Sequence, residues 1–272
     1  MKELSLKELQ SECLNILKDV HNFCVTNEIK YSVAYGTLIG TLRHKGFIPW
    51  DDDVDIIMPR PDYDRFCKIY KSDRFKLKCP ENSTDCMIAF ARVYDDKRTV
   101  VDHCRPWCWN ESGVWIDIFP ADGVSDDYEA FRRDYQSIWK LFRHLVRARF
   151  SCGRIREEDS IIRVIKKVAK RCLFLNGFVA KWLNRELVKR TRSIPFGETG
   201  HWGQLSSPDD PEWHDIKTFS STILMKFEDM EVMVMNGYDE VLHQIYGDYM
   251  KLPPEDQREA HDFNKKVWFY WK

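Results

Sequence analysis

The chain has 272 residues, of which 43% are hydrophobic and 14% aromatic, so it has ample apolar material for a buried core. Its 42 Lys and Arg residues nearly balance its 43 Asp and Glu residues, and this net charge of -1 argues against a nucleic-acid-binding protein. No apolar run approaches the ~18 residues of a membrane span, and the N-terminal sequence lacks the apolar core of a signal peptide. We therefore predict a single domain, residues 1–272, that acts in the cytoplasm with its nine cysteines reduced.

The first 120 residues predict an α+β fold in which a mixed sheet carries helices on one side. Apolar residues spaced by three and four predict the first helix, and proline suits the first turn of a later one. The short runs between and after these helices are rich in β-branched and aromatic residues, as strands are. In chain order the predicted elements are a helix over 4–24, a strand near 30–35, a short helix near 37–43, a strand ending at Met58, a helix over 61–70, and strands near 87–93, 99–101 and 115–119.

The second half of the chain begins with a helical pattern. Residues from about 126 to 195 predict a helical insertion that Asn176-Gly177 divides. Residues 193–222 are rich in Pro, Gly and Ser and predict a loop. The last predicted elements are strands near 224–227 and 231–234 and a helix over 238–246.

The helical insertion is strongly basic. Between Arg132 and Arg192 the chain has 18 Lys or Arg and 5 Asp or Glu, a net of +13, so the remainder carries 24 minus 38, or -14. One interpretation is that residues 132–192 contact an anionic membrane surface peripherally. The other is that an apolar stripe packs on the sheet and leaves a solvated basic face that complements the acidic remainder. That stripe consists of Ile161, Ile162, Val164, Ile165, Val168, Ala169, Cys172 and Leu173.

The most informative segment is residues 36–58, GTLIGTLRHKGFIPWDDDVDIIM, in which four aspartates fall within five positions. Because alternate residues of a strand share a face, we expect Asp53 and Asp55 to point the same way while Val54 and Ile56 enter the core. Two carboxylates about 6–7 Å apart along a strand repel each other unless a cation lies between them. Mg²⁺, as one ion or a pair and with Mn²⁺ as a substitute, suits carboxylate and phosphate oxygens. The alternative is a solvated acidic turn, or an N-cap of the next helix.

A further carboxylate lies among large apolar groups in residues 114–120, VWIDIFP. A carboxylate in such surroundings rarely lacks a partner. If this strand lies beside the strand of Asp53 and Asp55, Asp117 becomes a third metal ligand or the base that accepts the proton of an attacking hydroxyl. The alternative is an edge-strand aspartate that faces water.

A glycine turn and several cations accompany the acidic cluster. Gly36 and Thr37 begin a helix after a strand, where backbone N–H groups bind phosphate readily. Arg43 and Lys45 add positive charge that suits a diphosphate, although an exposed helix end also favours cations. Arg92 is a further candidate phosphate contact, with a surface ion pair as its alternative.

Two other groups of residues invite functional interpretations. The spacings of Cys79, Cys86, Cys104 and Cys108 miss the Cys-x₂-Cys pattern of zinc sites, so we interpret them as loop thiols. The aromatic residues near 107–119 and 268–271 are expected to pack, although a trimethylammonium group would favour an aromatic cage.

Three blocks of the chain resemble the LicD/fukutin-type family. Residues 35–63 are similar to the family signature GTLLGxxRHKGFIPWDDDxD. Residues 114–123, VWIDIFPADG, resemble the second family block, and residues 227–254 resemble the C-terminal block. The blocks occur in the family's order and span most of the chain, whereas residues 126–192 are poorly covered.

The resemblance implies a nucleotidyltransferase-like fold of the polymerase-beta type. It also implies transfer of a phospho-alcohol from a CDP-activated donor to a sugar hydroxyl, with release of CMP. Bacterial members decorate surface glycans with phosphocholine, so the expected donor is CDP-choline. The expected acceptor is a cell-surface glycan, such as lipopolysaccharide or teichoic acid, or its lipid-linked precursor.

The family's site residues correspond to named positions of this chain. Its metal ligands correspond to Asp53 and Asp55, with Asp117 as the third, and Asp51 matches the first acid of the block. The donor phosphates are then expected to contact Gly36, Thr37, Arg43, Lys45 and Arg92. Alternative functions are the same fold with CDP-ribitol, CDP-glycerol or another phospho-sugar donor, or a non-catalytic basic binding protein.

Overall fold

The computed structural model describes residues 1–83, 88–103, 113–150, 160–172, 175–206, 211–260 and 267–272. Within these ranges the helices are α1 (Leu6–Thr26), α2 (Tyr35–Arg43), α3 (Arg60–Ile69), α4 (Tyr128–Phe150), α5 (Ile161–Cys172), α6 (Leu175–Thr191) and α7 (Tyr238–Tyr246). The strands are β1 (Ser32–Val33), β2 (Asp55–Pro59), β3 (Lys76–Lys78), β4 (Ala91–Asp95), β5 (Thr99–His103), β6 (Val114–Val124), β7 (His201–Gly203), β8 (His214–Asp215), β9 (Thr222–Phe227), β10 (Met230–Met235) and β11 (Val267–Trp271). This element content confirms the predicted α+β class.

The main sheet is mixed, as predicted. Its strand order is β1-β2-β6-β4-β3, and the far half of the long strand β6 pairs with β7, which pairs with β8. β2 and β6 are parallel, whereas the other neighbours in this sheet are antiparallel. The predicted strand pair near 224–234 is found as the β9-β10 hairpin, and β11 pairs with β5. β6 therefore lies at the centre of the fold.

The first helix shows how the sequence anchors the N-terminal layer. Ser5 caps α1, and its side chain and that of Glu8 exchange hydrogen bonds with each other's backbone N–H, which forms a capping box. Apolar side chains three and four residues apart then face the sheet, where Leu9, Ile16 and Val20 are fully buried. The predicted helix over 4–24 is confirmed with a shift of two residues.

Helices cover both faces of the sheet, so the predicted one-sided arrangement is wrong. Ile56 and Ile118 pack on the face that α1 and α3 cover. The adjacent residues Ile57 and Phe119 point to the opposite face and pack with Val241 of α7. A run of consecutive apolar residues such as 56–58 is typical of a strand that is buried on both faces.

The predicted helical insertion is found as α4, α5 and α6. α4 and α6 pack against each other through Phe131, Ile138, Leu183 and Leu187. Asn176-Gly177 lies in the first turn of α6 and does not divide the helices, because α5 already ends at Cys172. In the described part of the chain, no helix combines the length and the apolar character needed to cross a bilayer.

The apolar stripe of α5 does not pack on the sheet, so that interpretation is wrong for this helix. Ile161, Ile162 and Ile165 are exposed, with 78% of the surface of Ile161 open to solvent. The segment 193–222, predicted as a loop, contains β7, β8 and a short 3₁₀ helix, Ile216–Phe219. β7 and β8 have only three and two residues, too few for an alternating pattern to be recognised in the sequence.

A buried ion pair connects α3 to the sheet, and partly exposed pairs connect the end of α6 to α3 and Glu81. Arg60 donates from Nε to Asp122 Oδ1 at 2.6 Å and from Nη2 to Oδ2 at 3.0 Å, and Asp122 on β6 is fully buried. Just after α6, Arg192 donates to Asp64 of α3 at 2.6 Å and to Glu81 at 2.8 Å. The basic insertion is thus held to the core by paired charges as well as by apolar contacts.

We predict that Asp122→Ala lowers the free energy of unfolding by about 3–5 kcal/mol, because it leaves the buried Arg60 guanidinium without its bidentate partner. Urea denaturation followed by circular dichroism measures the change. Asp229→Ala is the control, since it breaks the exposed pair with Lys18 and should leave the unfolding midpoint nearly unchanged. Equal effects of the two substitutions would contradict the assignment of Asp122 as a structural anchor.

Candidate active site

The parallel pairing of β2 and β6 brings the predicted acids together. Asp55 lies level with Asp117 in the register, and the Asp117 N–H donates to Val54 O at 2.9 Å. Asp53 precedes Asp55 by two positions and faces the same way, since Val54 and Ile56 between and after them are fully buried. The regular strand begins only at Asp55, yet the alternation expected from the sequence extends back through Asp53.

The start of α2 lies directly against this acidic segment. Thr37 is buried, and its hydroxyl oxygen accepts a hydrogen bond from the Asp55 N–H at 2.9 Å. Ala34, just ahead of α2, donates its N–H to Asp55 O at 2.9 Å. A Cβ at Gly36 would come within 2.6 Å of Asp51 Oδ2, so glycine lets this carboxylate lie against the helix without a shift of its side chain. Thr37 therefore fixes the backbone of Asp55, and Gly36 admits Asp51 beside the helix N-terminus.

These residues line one wall of a cavity of about 780 Å³. The acidic wall consists of Asp51, Asp52, Asp53, Asp55 and Asp117, with Gly36 and Arg92 beside them. The lining also includes an aromatic wall of Tyr35, Phe119, Tyr128, Trp213 and Tyr246, together with Glu212, His214 and Gln244. The cavity therefore combines a cluster of negative charge with an aromatic surface, in a volume suited to a small-molecule substrate.

The crowding of the acids changes their proton affinity. Burial, followed by the charges of Asp55, Asp51, Asp52 and Asp117, raises the pKa of Asp53 well above the usual aspartate value. Burial and the charge of Asp117 likewise raise the pKa of Asp55 well above that value, against an opposing effect of Arg92. The ionised site is thus under electrostatic strain that a divalent cation would relieve.

Arg92 is the cation that faces Asp117. Its Nε and Nη2 donate to the two carboxylate oxygens of Asp117, the second at 3.1 Å, in a bidentate pair. Its guanidinium also lies over the Trp115 ring, 4.4 Å from the centroid. Burial raises the pKa of Asp117, and the Arg92 charge and hydrogen bonds oppose that rise. Arg92 therefore orients Asp117 and partly offsets the effect of burial on its pKa.

The acids do not all approach one another equally. One oxygen from each of Asp51, Asp52 and Asp53 lies within 4.8 Å of the other two, a grouping compatible with one cation. Among the described residues, Asp53, Asp55 and Asp117 do not form so compact a set. The carboxylates and their mutual repulsion fit Mg²⁺, whereas the ligand assignment Asp53, Asp55 and Asp117 stays a prediction.

Arg43 and Lys45 do not line the cavity, and their contact with donor phosphates stays a prediction. Arg43 donates from Nη1 to the carbonyl oxygens of Tyr249 at 3.1 Å and Lys251 at 3.3 Å. Lys45 is exposed and donates to Leu42 O at 3.2 Å. α2 separates both cations from its N-terminus, because seven residues of helix between Gly36 and Arg43 span about 10 Å.

The sequence analysis missed most of the aromatic wall: Phe119 lies in the range 107–119 that it singled out, whereas Tyr35, Tyr128, Trp213 and Tyr246 do not. Tyr35 donates to Glu212 Oε1 at 2.8 Å, although 177 positions separate the two residues. Trp213 donates from Nε1 to Ser125 O at 2.9 Å and stacks on His201 with 3.6 Å between ring centroids. The sequence WHD at 213–215, within the predicted loop 193–222, could have indicated these residues. An aromatic residue and a histidine in a loop indicate a functional site rather than a core.

Some predictions fall outside the described residues. Cys86, Cys104 and Cys108, which bear on zinc binding, lie in the ranges 84–87 and 104–112. Cys79 is described: it is buried, and its sulfur lies within 4.8 Å of ligand atoms of Cys67 and Glu81. The interpretation of these cysteines as loop thiols therefore stays a prediction.

We predict that Asp53→Asn raises the thermal unfolding midpoint of the chelator-treated protein at neutral pH, because it removes one charge from the crowded cluster. An acid whose pKa is raised by folding binds protons more readily in the folded state, so the wild type gains stability as the pH falls. The advantage of the variant should therefore shrink between pH 8 and 5. Melting curves in EDTA across this range measure it.

Asp229→Asn is the matched control for this prediction. Its exposed carboxylate pairs with Lys18, which lowers the pKa of Asp229, so the amide should give no gain in midpoint at any pH in the range. A lower midpoint for Asp53→Asn than for the wild type at neutral pH would show that the acidic cluster is not under repulsion.

Comparison with known proteins identifies the family. Residues 28–147 match the family model described as LicD/FKTN/FKRP, nucleotidyltransferase domain. The chain is 33% identical over 273 aligned positions to the lipopolysaccharide cholinephosphotransferase LicD of Haemophilus influenzae, covering 96% of this chain and 97% of that protein. Shorter similarities connect it to uncharacterized proteins of Rickettsia typhi (36% identity, 32% of this chain and 29% of that one) and Rickettsia prowazekii (47% identity, 20% and 18%). The chain belongs to the LicD family.

Proposed function

We propose that this chain transfers phosphocholine from CDP-choline to a sugar hydroxyl of a cell-surface glycan or its lipid-linked precursor and releases CMP. The single observation that carries the proposal is the cavity whose lining combines five aspartates with an aromatic wall and Glu212. An acidic wall suits a metal-bound diphosphate, and an aromatic surface with a carboxylate suits a quaternary ammonium group. The name of the Haemophilus relative points to the same class of reaction.

The fold we propose is of the polymerase-beta nucleotidyltransferase type. The mixed sheet with carboxylates on two neighbouring strands supports it, together with the description of the matching family model. In this arrangement Asp53 and Asp55 would hold Mg²⁺, and Asp51 has an oxygen within 4.8 Å of one of Asp53. Bound there, Mg²⁺ would neutralise charge on the donor diphosphate.

The chain's own residues then perform the remaining tasks. The N-terminus of α2 at Gly36 offers backbone N–H groups to a phosphate of the donor, and Thr37 holds Asp55 in place through its backbone. Asp117, oriented by Arg92, accepts the proton of the acceptor hydroxyl. The hydroxyl oxygen bonds to the phosphorus that carries choline, and the bond from this phosphorus to the bridging oxygen breaks. That oxygen leaves with CMP.

A corner of the aromatic wall matches the choline group. Tyr128 and Trp213 meet edge to face with 5.7 Å between ring centroids, and the hydrogen bond to Ser125 fixes the indole. Glu212 directly precedes Trp213 in the chain and supplies negative charge to the same cavity. Burial and the Glu212 charge raise the pKa of Tyr35, so its phenol stays protonated and donates to Glu212. Two rings and a carboxylate are the groups that bind a trimethylammonium cation.

The first test is a donor panel with purified protein and Mg²⁺. We expect CMP release and transfer of phosphocholine from CDP-choline, abolished by EDTA and restored by Mg²⁺ or Mn²⁺. Asp53→Asn should lower kcat on the order of 10³-fold through loss of electrostatic stabilisation, whereas Asp229→Asn should retain full activity. Turnover of CDP-ribitol or CDP-glycerol in place of CDP-choline would move the assignment to another donor. No CMP from any donor would favour a non-catalytic binding protein.

The second test addresses the choline corner. Trp213→Ala should lower kcat/KM for CDP-choline about 10- to 30-fold, because it removes one ring from around the cation. The inhibition constant of CDP, which lacks choline, should change less than about threefold in the same variant. Equal weakening of CDP-choline and CDP would show that Trp213 supports the cavity without selecting the alcohol.

A further inference from the structure

The exposed surface of α5 and α6 is unusual for a protein in water. In α5, Ile161, Ile162, Ile165 and Val168 are all exposed, and in the described part of this helix no side chain is buried. A helix of 12 residues is marginal in water unless another surface stabilises it. The helix therefore lacks the core contact that its apolar face would normally make.

α6 presents apolar residues on the face turned away from its partner helix. Leu183 and Leu187 are buried against α4, whereas Phe178 and Trp182, one turn apart, are exposed to 77% and 62%. At 100° per residue, Phe178, Trp182, Arg185 and Lys189 fall within about 60° of one another and opposite the buried leucines. Aromatic residues thus occur beside cations on the outer face of α6.

The charge of these two helices is almost entirely positive. Residues 161–191 contain nine Lys or Arg and one acid, Glu186. In α5 the basic residues fall on an arc next to the apolar arc, with Arg163 and Lys166 exposed. Exposed isoleucines, an exposed tryptophan and flanking cations are the features of helices that lie in a membrane interface.

We propose that the outer face of α5 and α6 (the α5–α6 surface: Ile161, Ile162, Arg163, Ile165, Lys166, Val168, Phe178, Trp182 and Arg185) docks on an anionic phospholipid bilayer. The apolar side chains enter the boundary between headgroups and acyl chains, and the cations contact lipid phosphates. A second copy of this chain is a poor occupant, because it would bring two strongly positive faces together. Nucleic acid is a poor occupant as well, because it would leave the isoleucines uncovered.

Vesicle flotation of the full-length protein tests the proposal. We expect binding to vesicles of equal phosphatidylglycerol and phosphatidylcholine, weakened by 0.5 M salt, and little binding to pure phosphatidylcholine. Arg163→Glu with Lys166→Glu should lower the affinity at least about 20-fold. Phe178→Ser with Trp182→Ser should lower it at least about tenfold through lost apolar burial.

A matched variant and an activity measurement separate docking from folding. Ile223→Ser with Leu224→Ser removes exposed apolar surface from β9, away from the cations of α5 and α6, and should bind vesicles like the wild type. Circular dichroism should show unchanged helix content in all variants. CMP release with a soluble acceptor should also stay unchanged in the α5–α6 variants, so failure of docking is distinguishable from failure of the proposed chemistry.

Three results would overturn the proposal. The first is no flotation with anionic vesicles at low salt. The second is flotation that the α5–α6 variants leave unchanged. The third is an alternative occupant without vesicle binding: a dimer in sedimentation equilibrium, or retention of the protein by RNA. In either case Phe178→Ser with Trp182→Ser would abolish the association.

Discussion

The parallel pairing of β2 with β6 is the constraint on which the site depends. It sets Asp55 level with Asp117, so two carboxylates face one cavity from adjacent strands. Ionised acids at this spacing oppose folding, and their neighbours compensate: Val54 and Ile56 are fully buried behind them, and Arg92 pairs with Asp117. Repulsion within the acidic cluster destabilises the metal-free protein. A bound cation would relieve that repulsion, so the cluster favours cation binding.

The sequence was sufficient wherever a local period carries the information. Alternation through Asp53 and Asp55 predicted which side chains share a face, and helix spacing predicted α1, α3 and α7 closely. The prediction that helices cover only one face of the sheet was wrong, because the apolar run 56–58 belongs to a strand that is buried on both faces. Arg43 and Lys45 are close in sequence to the acids, yet neither lines the cavity. α2 separates its N-terminus from Arg43, at its other end, by about 10 Å.

The aromatic wall was harder to predict from a single sequence than the acids were. Tyr35 and Glu212 meet only because β7 pairs with the far half of β6 and β8 pairs with β7, which returns the chain to the cavity. That return runs through strands of two or three residues, whose alternation is too short to recognise. Chain topology decides which residues so far apart in sequence meet. The acids of the cavity were therefore predicted, whereas most of its aromatic residues were not.

The proposed chemistry and the proposed membrane surface share one structural connection, helix α4. Tyr128, its first residue, lines the cavity at the choline corner, and its body packs along α6. Arg192, just beyond α6, pairs with Asp64 of α3, which joins the same unit to the sheet. Because α6 exposes Phe178 and Trp182 on the side opposite α4, contact with a bilayer there leaves the α4 interface intact. A lipid-linked acceptor would then meet an enzyme whose orientation on the membrane is fixed through the helix that also forms part of its substrate cavity.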